Sequence, residues 1–173
     1  SINIVPVLNE EVDGIWWSKQ QAKEEAVWRH NDTIWPYMNA YECLARLAHG
    51  DTSGGLAVLS RMAKSHLEQG HRTFWEMMPL DGSLPFGHQG DLLSHCHAWG
   101  GTGSYALQAY VAGIRPLTPG YQTVVIEPKL GPLDWVKAKV PTPHGIIELE
   151  AHKVADGITG IALVPKEIEQ VQV

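Results

Sequence analysis

Two short stretches hold most of the side chains that could do chemistry. One is Thr73-Phe74-Trp75-Glu76 and the other is Ser94-His95-Cys96-His97-Ala98-Trp99. Glu76 follows two aromatic residues, a setting that desolvates a carboxylate and suits it to act as a general base. The plainer alternative is a solvated loop acid paired with Arg72. His95 and His97 fall on one side of an extended segment. That spacing could bind a metal, but no third ligand stands at a suitable interval, so no metal is expected. A histidine that hydrogen-bonds a substrate hydroxyl, or one satisfied in the core, fits better. Cys96 has none of the context of a catalytic thiol and reads as inert. Gly100-Gly101-Thr102-Gly103 lacks the strand and lysine of a phosphate loop, so it is expected to serve close helix packing.

The elements that must position these residues change period near Arg115. Thr33 is expected to cap a helix with Pro36 in its first turn. Tyr37, Tyr41, Leu44, Ala45 and Ala48 would form its apolar stripe, and Gly50 its stop. Thr52 or Ser53 would cap a second helix, with Leu56, Leu59, Met62, Ala63 and Leu67 inward and Gly70 at its end. The short loop makes the two helices antiparallel neighbours. A third helix is expected from Trp99 to Val111, and a partial one over Val12 to Trp28. Pro6, Pro36, Pro79 and Pro85 precede Arg115, and the rest of the 11 prolines follow it. Beyond Pro119 the pattern alternates, giving strands at Thr123–Glu127, Leu133–Val140, Gly145–Ala151, Ile158–Val164 and Ile168–Val173. Val136, Ala138 and Val140 would face one way, and Trp135, Lys137 and Lys139 the other. Asp156-Gly157 signals a type I′ hairpin, and Pro141-Thr142-Pro143-His144-Gly145 a rigid turn. The expected fold is α + β in two parts: a helical part over residues 1–115 and an antiparallel β-sandwich over 116–173.

Composition narrows the function. The chain has 173 residues, 44% hydrophobic and 18% charged, which suits a folded globular protein. A net charge of −6 and a pI near 5.8 leave no electrostatic footprint for nucleic acid or an anionic membrane surface. No apolar run approaches the roughly 20 residues of a membrane span, and Ser1 to Asp13 lacks the pattern of a signal peptide. Cys43 and Cys96 are too few for a disulfide framework. Against this plain background stand 7 tryptophans and 9 histidines. Every tryptophan except Trp135 precedes residue 100. Flat apolar rings beside histidines and acids favour a binding cleft.

Thr73-Phe74-Trp75-Glu76, then Ser94-His95-Cys96-His97-Ala98-Trp99-Gly100, then Ala112-Gly113-Ile114-Arg115-Pro116-Leu117-Thr118-Pro119-Gly120-Tyr121 resemble the C-terminal portion of bacterial α-L-rhamnosidases, the family 78 glycoside hydrolases. Ile126-Glu127-Pro128 and Pro141-Thr142-Pro143-His144-Gly145-Ile146-Ile147-Glu148 continue the likeness, and Asn31-Asp32-Thr33-Ile34-Trp35-Pro36 is similar to related toroid glycosidases. The resemblance implies helices of an (α/α)6 toroid followed by a β-sandwich, and inverting hydrolysis of terminal α-L-rhamnosides without a cofactor. It implies Glu76 as general base and His97 as a substrate contact, with Trp75 or Trp99 as an aromatic wall and Trp35 as a further contact.

An inverting site needs a second carboxyl roughly 6.5–9.5 Å away. The family's acidic, arginine-containing motif for that acid is missing. Asp32 and Glu42 lack its context, and Asp81 and Asp91 are the other acids nearby. A whole toroid needs at least roughly 200 residues. The chain is therefore expected to be the terminal third of a toroid with its sandwich, inactive alone. Its partners would be a rhamnoside, the remainder of the catalytic domain and, through Tyr37, Tyr41, Leu56 and Leu59, other copies of itself. A bacterial cytoplasmic or periplasmic soluble protein is implied. A non-catalytic carbohydrate-binding or interaction module, or a toroid glycosidase for another sugar, are the alternatives.

Overall fold

The computed structural model describes residues 33–68, 70, 72–79 and 94–172. The expected helix over Val12 to Trp28, and Asp32, Asp81 and Asp91, lie outside them. Helix α1 spans Pro36–Ala48. Proline suits its first position because that N–H has no partner in a helix. The carbonyl of Trp35 takes the amides of Met38 and Asn39, at 2.9 and 3.2 Å. Thr33 is not the cap. It belongs to a short strand, β1 (Thr33–Ile34), paired antiparallel with β2 (Met78–Pro79). The buried face of α1 is Pro36, Asn39, Ala40, Cys43 and Leu47, while Tyr41 is 59% exposed and Ala45 and Ala48 face solvent. The expected stripe was therefore turned by one residue. Small side chains permit the close approach, and Tyr41 packs edge-on against Tyr37 at 4.9 Å instead.

Helix α2 spans Thr52–Glu68. Its cap is Asp51, one residue before the expected Thr52 or Ser53. Asp51 Oδ1 accepts the Gly54 amide at 2.9 Å, while Arg46 holds Oδ2 at 2.9 Å. The buried positions are Thr52, Gly55, Val58, Met62 and His66, and Leu67, expected inward, is 67% exposed. The Cys43 thiol donates to the Gly55 carbonyl at 3.4 Å, and Leu47 fills the space a side chain at Gly55 would need. The chain thus doubles back between α1 and α2 as expected. A third helix follows in three pitches: 3₁₀ over Ala98–Gly101, α over Thr102–Ala106 and π over Leu107–Val111.

The described residues belong to two compact units, one drawn from the chain up to Glu42 with Val58–Thr102, the other from Cys43–Ala57 with Gly103–Val173. In the second, β3 (Ile114–Pro116) pairs antiparallel with β4 (Thr123–Ile126), and β8 (Gln170–Gln172) pairs parallel with β4. That parallel pair departs from the antiparallel expectation. The Glu169 amide donates to the Gln122 carbonyl at 2.9 Å, so β8 sets out from the same end as β4. The other sheet is an antiparallel meander of β5 (Trp135–Thr142), β6 (Gly145–Val154) and β7 (Gly157–Leu163). Ile114, Val124 and Ile126 from one sheet share a core with Val140, Ile147, Leu149 and Ala151 from the other, closed by Ala112 and Ile168. Each large side chain so buried contributes about 1.5–3 kcal/mol. The outer face of the meander carries Lys137 against Glu150 at 2.9 Å and Lys139 against Glu148 at 2.8 Å, directly opposed pairs in the register.

The turn from β6 to β7 is not type I′. Its central residues are Ala155 and Asp156, neither with positive φ, and only Gly157 beyond them has one, 141°. Type I′ needs positive φ at both central positions. Gly113, between the third helix and β3, has φ 74°, and a Cβ there would run into the backbone of Glu127. Two features of this unit give measurable outcomes. Gly113→Ala combines a left-handed conformation with a backbone clash, and should lower stability by about 2–4 kcal/mol in chemical denaturation. Lys129, then Arg115, hold the Glu127 carboxylate below its ordinary 4.5. Because the folded value is depressed, its contribution is complete above that pH and fades as the pH falls through the lower folded value. Lys129→Met should raise the Glu127 titration midpoint and flatten the stability profile in that acid window.

Candidate functional site

The first unit brings the two chemical stretches together. The amide of Glu76 donates to the carbonyl of Ser94 at 2.9 Å, and the amide of His97 donates to the carbonyl of Phe74 at 2.8 Å. These reciprocal bonds make segments 74–76 and 94–97 an antiparallel pair. The Ser94 amide also reaches Glu76 Oε2 at 3.3 Å. As a result Glu76 Oε2 stands 3.9 Å from His97 Nδ1, with the two side chains 25% and 30% exposed. That exposure leaves both groups reachable by a small ligand while most of their surface is dry. At this separation the carboxylate and the imidazole can both reach one hydroxyl of a bound ligand.

An aromatic cluster stands beside the pair. Trp99 packs on the His97 ring at 4.0 Å with a 42° tilt, Tyr37 lies 4.9 Å from Trp99, and Trp35 meets it edge-on at 6.0 Å. The buried Trp99 Nε1 has no hydrogen-bond partner among the described residues. Trp75 differs from the others. It is 6% exposed, with the His95 ring stacked on it at 4.0 Å and only 9° from parallel. Its face is therefore not open as a sugar platform, and its place is that of a support under the Glu76 segment. The Trp75 amide is held by His66 Nε2 at 3.2 Å. Cys96 is exposed and Glu42 half-buried on α1. Among the described residues no three His, Cys, Asp or Glu side chains converge as a metal site would need. No helix among them is long and apolar enough to cross a membrane.

A concavity among the described residues lies elsewhere. It measures about 730 Å³ over the outer face of β5–β7, and its polar groups, Lys137, Glu150 and His152, are already joined by ion pairs.

Three comparisons bear on this geometry. Residues 113–169 match the family model of the bacterial alpha-L-rhamnosidase C-terminal domain. The chain resembles the C-terminal portion of a bacterial α-L-rhamnosidase. The family 78 rhamnosidase of Bacillus sp. GL1 is 26% identical, with a TM-score of 0.61 over 80% of this chain and 16% of that one. The Streptomyces avermitilis α-L-rhamnosidase, solved with L-rhamnose, is also 26% identical, with a TM-score of 0.50 over 58% of this chain and 10% of that one. No curated protein sequence gives a significant match. The chain thus spans a small part of the length of the rhamnosidases it matches. The likeness agrees with helices followed by a sandwich, and with a piece of a glycoside hydrolase.

Sequence spacing alone missed three groups at this site: the buried His66, the Ser94 amide and the Tyr37 ring, the last assigned to a core stripe. His66 was findable, because it continues the buried series Val58, Met62. Gly100 matters for the pairing as well, since a Cβ there would overlap the Cβ of Phe74. Gly100→Ala should cost about 1–3 kcal/mol by overpacking. It should also separate His97 from Glu76, seen as faster amide exchange at His97.

Proposed function

We propose that this chain is the C-terminal part of a glycosidase that hydrolyses terminal α-L-rhamnosides with inversion, and that it carries the general base. The helical part is then the closing third of an (α/α)6 toroid. The observation that carries this reading is the approach of Glu76 to His97 beside Trp99, in a chain similar to rhamnosidases on either side of it.

The chemistry follows from the atoms. Oε2 of Glu76 is engaged by the Ser94 amide, which leaves Oε1 to take a proton from a water molecule. That water's oxygen bonds to the anomeric carbon on the face opposite the leaving group. The glycosidic bond breaks, and its electron pair goes to the leaving oxygen, which a general acid from the remainder of the catalytic domain protonates. His97 holds a ring hydroxyl, and Trp99, with Trp35 and Tyr37 behind it, walls the sugar.

The chain by itself should give no turnover above background on an aryl α-L-rhamnoside, since a missing general acid alone removes about 10²–10⁴ in rate. Adding the N-terminal remainder of the enzyme should restore hydrolysis, and Glu76→Gln should abolish it again by a similar factor. The first product seen by NMR should be the inverted anomer. Full activity in Glu76→Gln, or a retained anomer, would remove Glu76 from the role.

A further inference from the structure

His66 is a buried, titratable side chain that the hydrolytic mechanism does not use. It sits on the inner face of α2 and is 2% exposed. Nδ1 lies 3.0 Å from the Met62 carbonyl, one turn earlier on the same helix. Nε2 lies 3.2 Å from the Trp75 amide nitrogen. A carbonyl can only accept, so Nδ1 must carry the hydrogen. A backbone amide can only donate, so Nε2 must be bare. The two contacts together demand one form of the ring, the neutral Nδ1–H tautomer. The Phe74 ring meets the imidazole edge-on at 5.2 Å and 67°, closing the site from the other segment.

What this ring holds is the residue before Glu76. The Trp75 amide is fixed to α2, and the next amide, that of Glu76, is fixed to Ser94. The backbone is therefore tied on consecutive residues to two different parts of the unit. The Glu76 carboxylate, three side-chain bonds beyond its Cα, is then met by the Ser94 amide at 3.3 Å, so both ends of the side chain are held, which is what a base needs when it must meet a water within a few tenths of an ångström.

We propose that His66 is the positioning residue of this site. As the Nδ1–H tautomer it links the Met62 carbonyl of α2 to the Trp75 amide, and so sets where the Glu76 carboxylate stands. The importance of that position rests on the reading of Glu76 as the base; the linkage itself does not.

The test is made on the full chain with ¹⁵N-labelled histidine. Long-range proton–nitrogen correlation should show His66 with a protonated Nδ1 and an unprotonated Nε2. His66→Ala should speed amide exchange at Trp75, Glu76 and His97 by about tenfold or more, with β5 and β6 unchanged. His66→Gln can accept from Trp75 and donate to Met62, and should return those rates to within about threefold of the parent. An Nε2–H tautomer overturns the proposal. So does exchange at Glu76 that ignores the alanine change, or a rise spread evenly over α2 and the third helix with no rescue by glutamine. Should the alanine variant not fold, the tautomer and the glutamine variant decide. Hydrolysis by the reconstituted enzyme separates the two readings: if the tautomer and exchange pattern hold while Glu76→Gln keeps full activity, the base assignment falls and the positioning role stands.

Discussion

Two backbone hydrogen bonds, Glu76 to Ser94 and His97 to Phe74, hold the candidate site together. Each is worth only about 1 kcal/mol net, because the unfolded chain gives the same groups to water. Their leverage is geometric. They fix the register of two segments far apart in the chain, and the register puts the carboxylate of one beside the imidazole of the other. Such a short pairing cannot stand alone in water. It stands here because packing surrounds it: Phe74 fills the space left by the absent side chain of Gly100, Trp75 is buried under His95, and His66 ties the Trp75 amide to a helix.

The aromatic residues divide their work along the same lines. Trp75 is inside and supports. Trp99, with Trp35 and Tyr37 against it, lies beside His97 and keeps a partly open face. A tryptophan serves either purpose, since its ring is large and apolar with one donor. Which purpose it serves depends on what covers it, and a neighbouring histidine covers Trp75.

The sandwich was the more legible part. Alternation in β5 set Val136, Ala138 and Val140 on one face and Trp135, Lys137 and Lys139 on the other, and in the structure the first set packs on the core while the second is exposed. A period of two leaves no intermediate choice of face. The helices were read less well, because a period of 3.6 lets a stripe rotate by one position at small cost. In α1 the tyrosines looked like core by hydrophobicity, yet Ala40, Cys43 and Leu47 are buried. In α2 the polar His66 took the buried place and Leu67 the solvent. Hydrophobicity scores Leu67 above His66, but a histidine with both nitrogens bonded is as well satisfied inside.

Local chemistry in the sequence by itself determined where helices stop and strands begin, which residues of β5 share a face, and which side chains could act as base and ligand contact. Those properties depend on neighbours a few residues away, through backbone preference and side-chain period. The approach of Glu76 to His97, the burial of Trp75, the parallel course of β8 and the single tautomer open to His66 were decided only in three dimensions. Each arises from hydrogen bonds between groups distant in the chain, or from the turn of a helix about its axis, and no local preference encodes either.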